Sequence, residues 1–68
     1  MKVNKRLELY INNIKVKYDI QSNRENAYLY NRGYIMGLND GKAINNKDAF
    51  TLIELNCGLR KEKEATND

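Results

Sequence analysis

The stretch 5–20 alternates apolar and polar residues about a central Asn12-Asn13 pair, and no other feature constrains the fold of this chain as strongly. Leu7, Leu9 and Ile11 alternate with Arg6, Glu8 and Tyr10; Ile14, Val16, Tyr18 and Ile20 alternate with Lys15, Lys17 and Asp19. Alternation at period two is the pattern of a half-buried strand, and Asn tolerates the left-handed backbone of a tight turn. Folded at Asn12-Asn13, the stretch sets Ile11 against Ile14, Leu9 against Val16 and Leu7 against Tyr18. Glu8–Lys17 and Arg6–Asp19 then pair on the other face. A helix is the rival: Leu7, Tyr10, Ile11, Ile14 and Tyr18 make a helical stripe, which leaves Leu9, Val16 and Ile20 on the wrong side. The strand template accounts for every apolar residue except Tyr10, and β-branched and aromatic content favours it. The expectation is therefore a β-hairpin with strands at about 6–11 and 14–20.

Ser22-Asn23-Arg24-Glu25 reads as a capping box that opens a helix over about 23–39. Ala27, Tyr28, Tyr30, Tyr34, Ile35 and Leu38 form its broad apolar face. Leu29 and Met36 form a narrow stripe opposite, which places this helix between the hairpin and the last helix. Gly33 and Gly37 each cost about 1 kcal/mol relative to Ala in a helix interior, which predicts a neighbouring backbone packed close, with a functional surface groove as the other reading. Gly41 is the expected C′ residue, and Ile44 the buried anchor of the turn. Asn45 or Asn46 caps a second helix over about 47–61, with Asp48 against the positive end of its dipole. Phe50, Ile53 and Cys57 make one stripe on it; Leu52, Leu55 and Leu59 make another. The fold class that follows is α+β, a hairpin followed by two helices packed on it. One domain covers 1–61, and 62–68 is a charged tail expected to be disordered.

At 68 residues the chain is near the lower size for unaided folding, so a deep catalytic cleft is not expected. With no His and one Cys, neither an intramolecular disulfide nor a Cys/His zinc site is available, and the commonest catalytic base is missing. Cys57 shares a stripe with Phe50 and Ile53, so a buried structural thiol is expected; a lone Cys also suits a cytoplasmic setting. No apolar run approaches the roughly 18 residues needed to span a bilayer. The net charge of +3 is modest, and Lys and Arg are interleaved with acids rather than gathered. Asp40 and Asp48 are explained by capping, and Gly37 to Lys42 lacks the spacing of a phosphate loop. The expectation is a non-enzyme without cofactor, metal or small-molecule substrate.

The segment Gly33-Tyr34-Ile35-Met36-Gly37-Leu38-Asn39-Asp40-Gly41-Lys42-Ala43-Ile44, followed by Asn46-Lys47-Asp48-Ala49-Phe50, carries a resemblance. It resembles the helix–Gly–x–x–Ile–helix hairpins of short reading frames in phages and mobile elements of low-GC Gram-positive bacteria. Bacterial short C-terminal (SHOCT-type) helical hairpins have a related turn, with Thr or Ser and an acid where this chain has Asn45 and Asn46. The similarity spans about residues 28–55 and rests on cap and turn chemistry. It implies a phage-type accessory protein, a class that includes anti-CRISPRs and other inhibitors of host proteins, and it transfers no functional residue.

Protein binding is the function expected. Large apolar and aromatic residues left at a surface are the usual anchors of interfaces, and here they are Tyr28, Tyr30, Leu52, Leu55 and Leu59; the other reading of the same residues is that they complete the core with the hairpin. The partner is a host protein or a second copy of the chain, met in the cytoplasm of a bacterial host, with no role for a membrane. The alternative is DNA: a two-stranded ribbon enters a major groove, and the solvent face of the hairpin would offer Arg6, Tyr10, Lys15 and Lys17. Glu8 and Asp19 lie on that same face and offset two of the cations.

Overall fold

The computed structural model describes residues 5–66, with side chains over 5–62. They form three helices: α1 Lys5–Ile20, α2 Arg24–Asp40 and α3 Asn46–Thr66. No strand occurs among the described residues, so the expected hairpin does not form and the class is all-α rather than α+β. The helical stripe of the first segment turns inward. Ile14 and Tyr18 are buried, and Leu7, Tyr10 and Ile11 pack against the core. The three residues that the helix could not explain, Leu9, Val16 and Ile20, are the ones left at the surface. The pairs Glu8–Lys17 and Arg6–Asp19 that the hairpin needed do not meet. Residues nine and thirteen apart on a helix are about 13.5 and 19.5 Å apart along its axis.

The physical reason is that a two-stranded hairpin is marginal in water and leaves edge groups unpaired. A helix satisfies its backbone internally. A third helix laid on a helical pair closes the core with five apolar side chains from one segment. Glu8 in the first turn and Lys17 in the last also suit the helix dipole.

The connections are set by Asn side chains and one left-handed residue. Asn23, not Ser22, caps α2: its Oδ1 accepts the Asn26 N–H at 3.0 Å, so the expected capping box does not form. Asn and Ser are equivalent in this role, and a shift of one residue exchanges them. Asn45 caps α3 in the same way, accepting from the Asp48 N–H at 2.8 Å. At the end of α2 the left-handed position is Lys42 (φ 62°), not Gly41, whose φ of −80° suits any residue. The Lys42 N–H donates to Asn39 O and the Ala43 N–H to Leu38 O, the paired bonds of a Schellman ending. α3 continues to Thr66, past Lys61 where the sequence placed its end. Of the expected tail, residues 67 and 68 lie outside the described residues.

The apolar core is Ile14, Ile35, Ile44, Ala49 and Leu52. Beside it lies a polar knot that ties all three helices together. Tyr18 of α1 directs its hydroxyl at Asn56 of α3, 2.7 Å from Oδ1 and 3.0 Å from the backbone oxygen. Asn56 Nδ2 donates to the Tyr28 carbonyl of α2 at 3.1 Å. Asn31 Nδ2 of α2 donates to the Ile14 carbonyl at 3.1 Å and reaches Asn56 Oδ1 at 3.4 Å. Asn31 and Asn56 are both almost completely buried. Such groups cost about 1–3 kcal/mol each if left unsatisfied, so the knot fixes how the helices align.

Candidate protein-interaction surfaces

The inward and outward faces of α3 sort its apolar residues in a way the sequence reading reversed. Leu52 has no exposure, and Leu55 and Leu59 pack against the core. Of these three expected partner contacts Leu52 is therefore a core residue, and Leu55 and Leu59 are partly buried against that core. They share their side of the helix with Ala49 and Asn56, which face α1 and α2 through the core cluster and the polar knot. The stripe read as structural is the outer one. Phe50 is 68% exposed, Ile53 is 41% exposed, and Cys57 is half-buried rather than buried.

On α2, Leu29 and Met36 also stand at the surface instead of packing under a neighbour. Between α2 and α3 lies a hollow of about 250 Å³ lined by Tyr28, Arg32, Ile35, Met36, Ile53 and Asn56. Helical spacing puts Leu29 on the Met36 side of α2 and Phe50 on the Ile53 side of α3, which makes one apolar outer face. Its C-terminal end is fixed by Arg60: the guanidinium lies 4.7 Å from the Tyr28 ring centroid, and Nη2 is 3.1 Å from Glu25 Oε1.

A second surface lies between α1 and α2. Val16, Ile20 and Tyr30 are exposed there, and Leu9 continues the α1 stripe one turn before Asn13. A hollow of about 170 Å³ is lined by Asn13, Val16, Lys17, Ile20, Tyr30, Asn31 and Tyr34. Its edges are well held. Lys17 Nζ sits 3.8 Å from the Tyr30 ring centroid, Asn13 Nδ2 donates to the Tyr34 hydroxyl at 3.0 Å, and Tyr10 meets Tyr34 edge to face. Of the expected partner-binding residues, Tyr28 thus lines the first hollow and Tyr30 the second.

The basic face expected for DNA is not assembled. Arg6 and Lys15 are nine residues apart and point to opposite sides of α1, Tyr10 packs on Tyr34, and Lys17 covers Tyr30. Without the ribbon there is no single surface that offers Arg6, Tyr10, Lys15 and Lys17 together.

Gly33 and Gly37 are also corrected. A Cβ at either position would meet nothing within 4 Å, so no packed backbone explains them. Among the described residues the one strongly shifted ionisation lies inside: burial, helped by the neighbouring Cys57 thiol, pushes the Tyr18 hydroxyl up to about 12, with Arg60 opposing the shift. Among the described residues no helix is long and apolar enough to cross a membrane.

The fold and its surfaces define a three-helix domain with a polar knot inside and two apolar faces outside. No family model, no curated protein and no solved structure matches the chain.

Proposed function

We propose that this chain is a non-catalytic protein-binding module, an inhibitor or modulator of a host protein that is encoded by a phage or mobile element and acts in the bacterial cytoplasm. The observation that carries protein binding is the outer face of the helical pair. Leu29, Met36, Phe50 and Ile53 are each between two-fifths and seven-tenths exposed, Met36 and Ile53 line one hollow, and helical spacing sets Leu29 and Phe50 beside them, in a domain whose core is complete without them. Large apolar side chains gathered on one surface, with cations and acids at its edge, are the anatomy of an interface. The phage setting is supported by the likeness of the α2–α3 turn to short phage and mobile-element hairpins.

The test uses the purified chain and its Phe50→Asp variant as baits in a lysate of a Gram-positive bacterium, with and without nuclease, read by mass spectrometry. A bacterial protein held by the parent chain and released by Phe50→Asp, with helicity unchanged, is the expected result. Equal capture by both baits would remove this face from the interface. Capture abolished by nuclease alone would replace a protein partner with nucleic acid.

A further inference from the structure

The α1–α2 hollow differs from the α2–α3 face in what lies at its floor. Asn31 is 1% exposed and lines this hollow. Both of its hydrogen bonds are made by Nδ2, directed inward at the Ile14 carbonyl and at Asn56. A carbonyl oxygen only accepts, so the amide orientation is fixed. Oδ1 is then the polar atom that Asn31 presents to the hollow, and no described group donates to it.

The walls are Val16 and Ile20 on one side and Tyr30 and Tyr34 on the other. A volume of about 170 Å³ is that of one aromatic ring; an apolar cavity of about 150 Å³ accommodates benzene. A plain hydrocarbon ring would leave Oδ1 unpaired in a dry site, which disfavours it. A ring that carries a donor at its tip fills the walls and satisfies the floor together. At the mouth lie Lys17, whose ammonium rests on the Tyr30 ring, and the exposed Asn13, whose Nδ2 is bonded to the Tyr34 hydroxyl and whose Oδ1 is left to accept a main-chain N–H beside such a ring.

We propose that the α1–α2 hollow is an anchor pocket for a tyrosine or tryptophan side chain presented by a protein partner, with Asn31 Oδ1 accepting its O–H or N–H. The pocket lies apart from the α2–α3 face and stands or falls independently of it. An aromatic anchor in a pocket with a satisfied polar tip is the usual form of a binding hot spot.

The experiment is a heteronuclear NMR titration of the isotope-labelled chain with N-acetyltyrosinamide, N-acetylphenylalaninamide and p-cresol, repeated on the Val16→Trp variant. Val16 is half exposed at the wall, so the larger ring fills the hollow without entering the core. N-acetyltyrosinamide should shift the signals of Val16, Ile20, Tyr30 and the Asn31 side-chain amide, saturating in the millimolar range. The phenylalanine amide should bind at least about threefold more weakly, the worth of one hydrogen bond. p-Cresol should bind no tighter than the tyrosine amide, and the Val16→Trp variant should lose the response. Four results would each overturn the proposal: no shifts at these residues, equal affinity for the phenylalanine amide, tighter binding of p-cresol than of the amide, or an undiminished response in the filled variant. The third would identify the site as one for free phenols instead of a partner chain.

Discussion

Two stripes on α3 have opposite fates. Leu52, Leu55 and Leu59 face inward, while Phe50 and Ile53 face solvent, although Phe50 and Leu52 are only two residues apart. Hydrophobicity does not separate them. Their neighbours one helical turn on do. Four residues after Leu52 stands Asn56, which the polar knot draws inside; four after Phe50 stands Glu54, and four after Cys57 stands Lys61, both exposed. α1 shows the same division: the stripe through Ile14 and Tyr18 is sealed, and the stripe through Leu9, Val16 and Ile20 is open. An apolar stripe in so small a domain is core when its polar members have partners inside, and surface when its flanks are charged.

The largest expected effect lies in the contrast itself. Leu52→Ala should cost about 2–5 kcal/mol, the range for a buried Leu, whereas Phe50→Ala should stay within about 0.5 kcal/mol. Urea denaturation of the two variants measures both, and comparable losses would break the comparison. Next comes the knot. Asn56→Leu keeps the branched shape but enlarges the side chain; it removes Oδ1 from the Tyr18 hydroxyl, which retains the Asn56 backbone oxygen, and the side-chain donor from the Tyr28 carbonyl, and should cost about 2–4 kcal/mol. A neutral result in thermal melts would mean that the knot does not align the helices. Gly33→Ala should raise stability by up to about 1 kcal/mol, because the added methyl meets open space. Destabilisation would reveal a contact that the fold does not show.

The last effect appears only with pH. Folded, Tyr18 holds its proton to about 12 against an ordinary 10.0, so the folded state favours the neutral hydroxyl. That contribution is whole below pH 10 and is lost as pH rises towards 12. The gap in stability between the parent chain and Tyr18→Phe, followed by denaturation across that range, should narrow. A constant gap would contradict the burial of this hydroxyl.

Much of α2 and α3 was legible in the sequence, because a cap signal at Ser22, one residue short of the true cap Asn23, and Asn45 with a buried Ile44 punctuate them. α1 was not, for a physical reason. Its inward residues satisfy the helical period, while Leu9, Val16 and Ile20, apolar yet exposed, complete a false period of two. An exposed functional face and a strand signal are the same letters here. The helical stripe is present in the sequence, and the three residues it leaves over are the surface ones. Asn31 and Asn56 were missed altogether. Their signal was available: Asn31 lies four residues from both Ala27 and Ile35, and Asn56 four from Leu52 and three from Leu59, each a polar residue inside an apolar stripe. The outer Phe50–Ile53 face was read as structure because the Leu stripe looked like the surplus. Only packing on α1 and α2 decides which of two apolar stripes is needed.

The most direct test of the account is a pair of circular-dichroism melts, on Leu55→Asp and on Phe50→Asp. Leu55 packs against the core and Phe50 stands in solvent, so Leu55→Asp should lose its cooperative helical transition while Phe50→Asp keeps the parent melt. A folded Leu55→Asp beside an unfolded Phe50→Asp would return the Leu stripe to the surface and contradict the arrangement of the three helices.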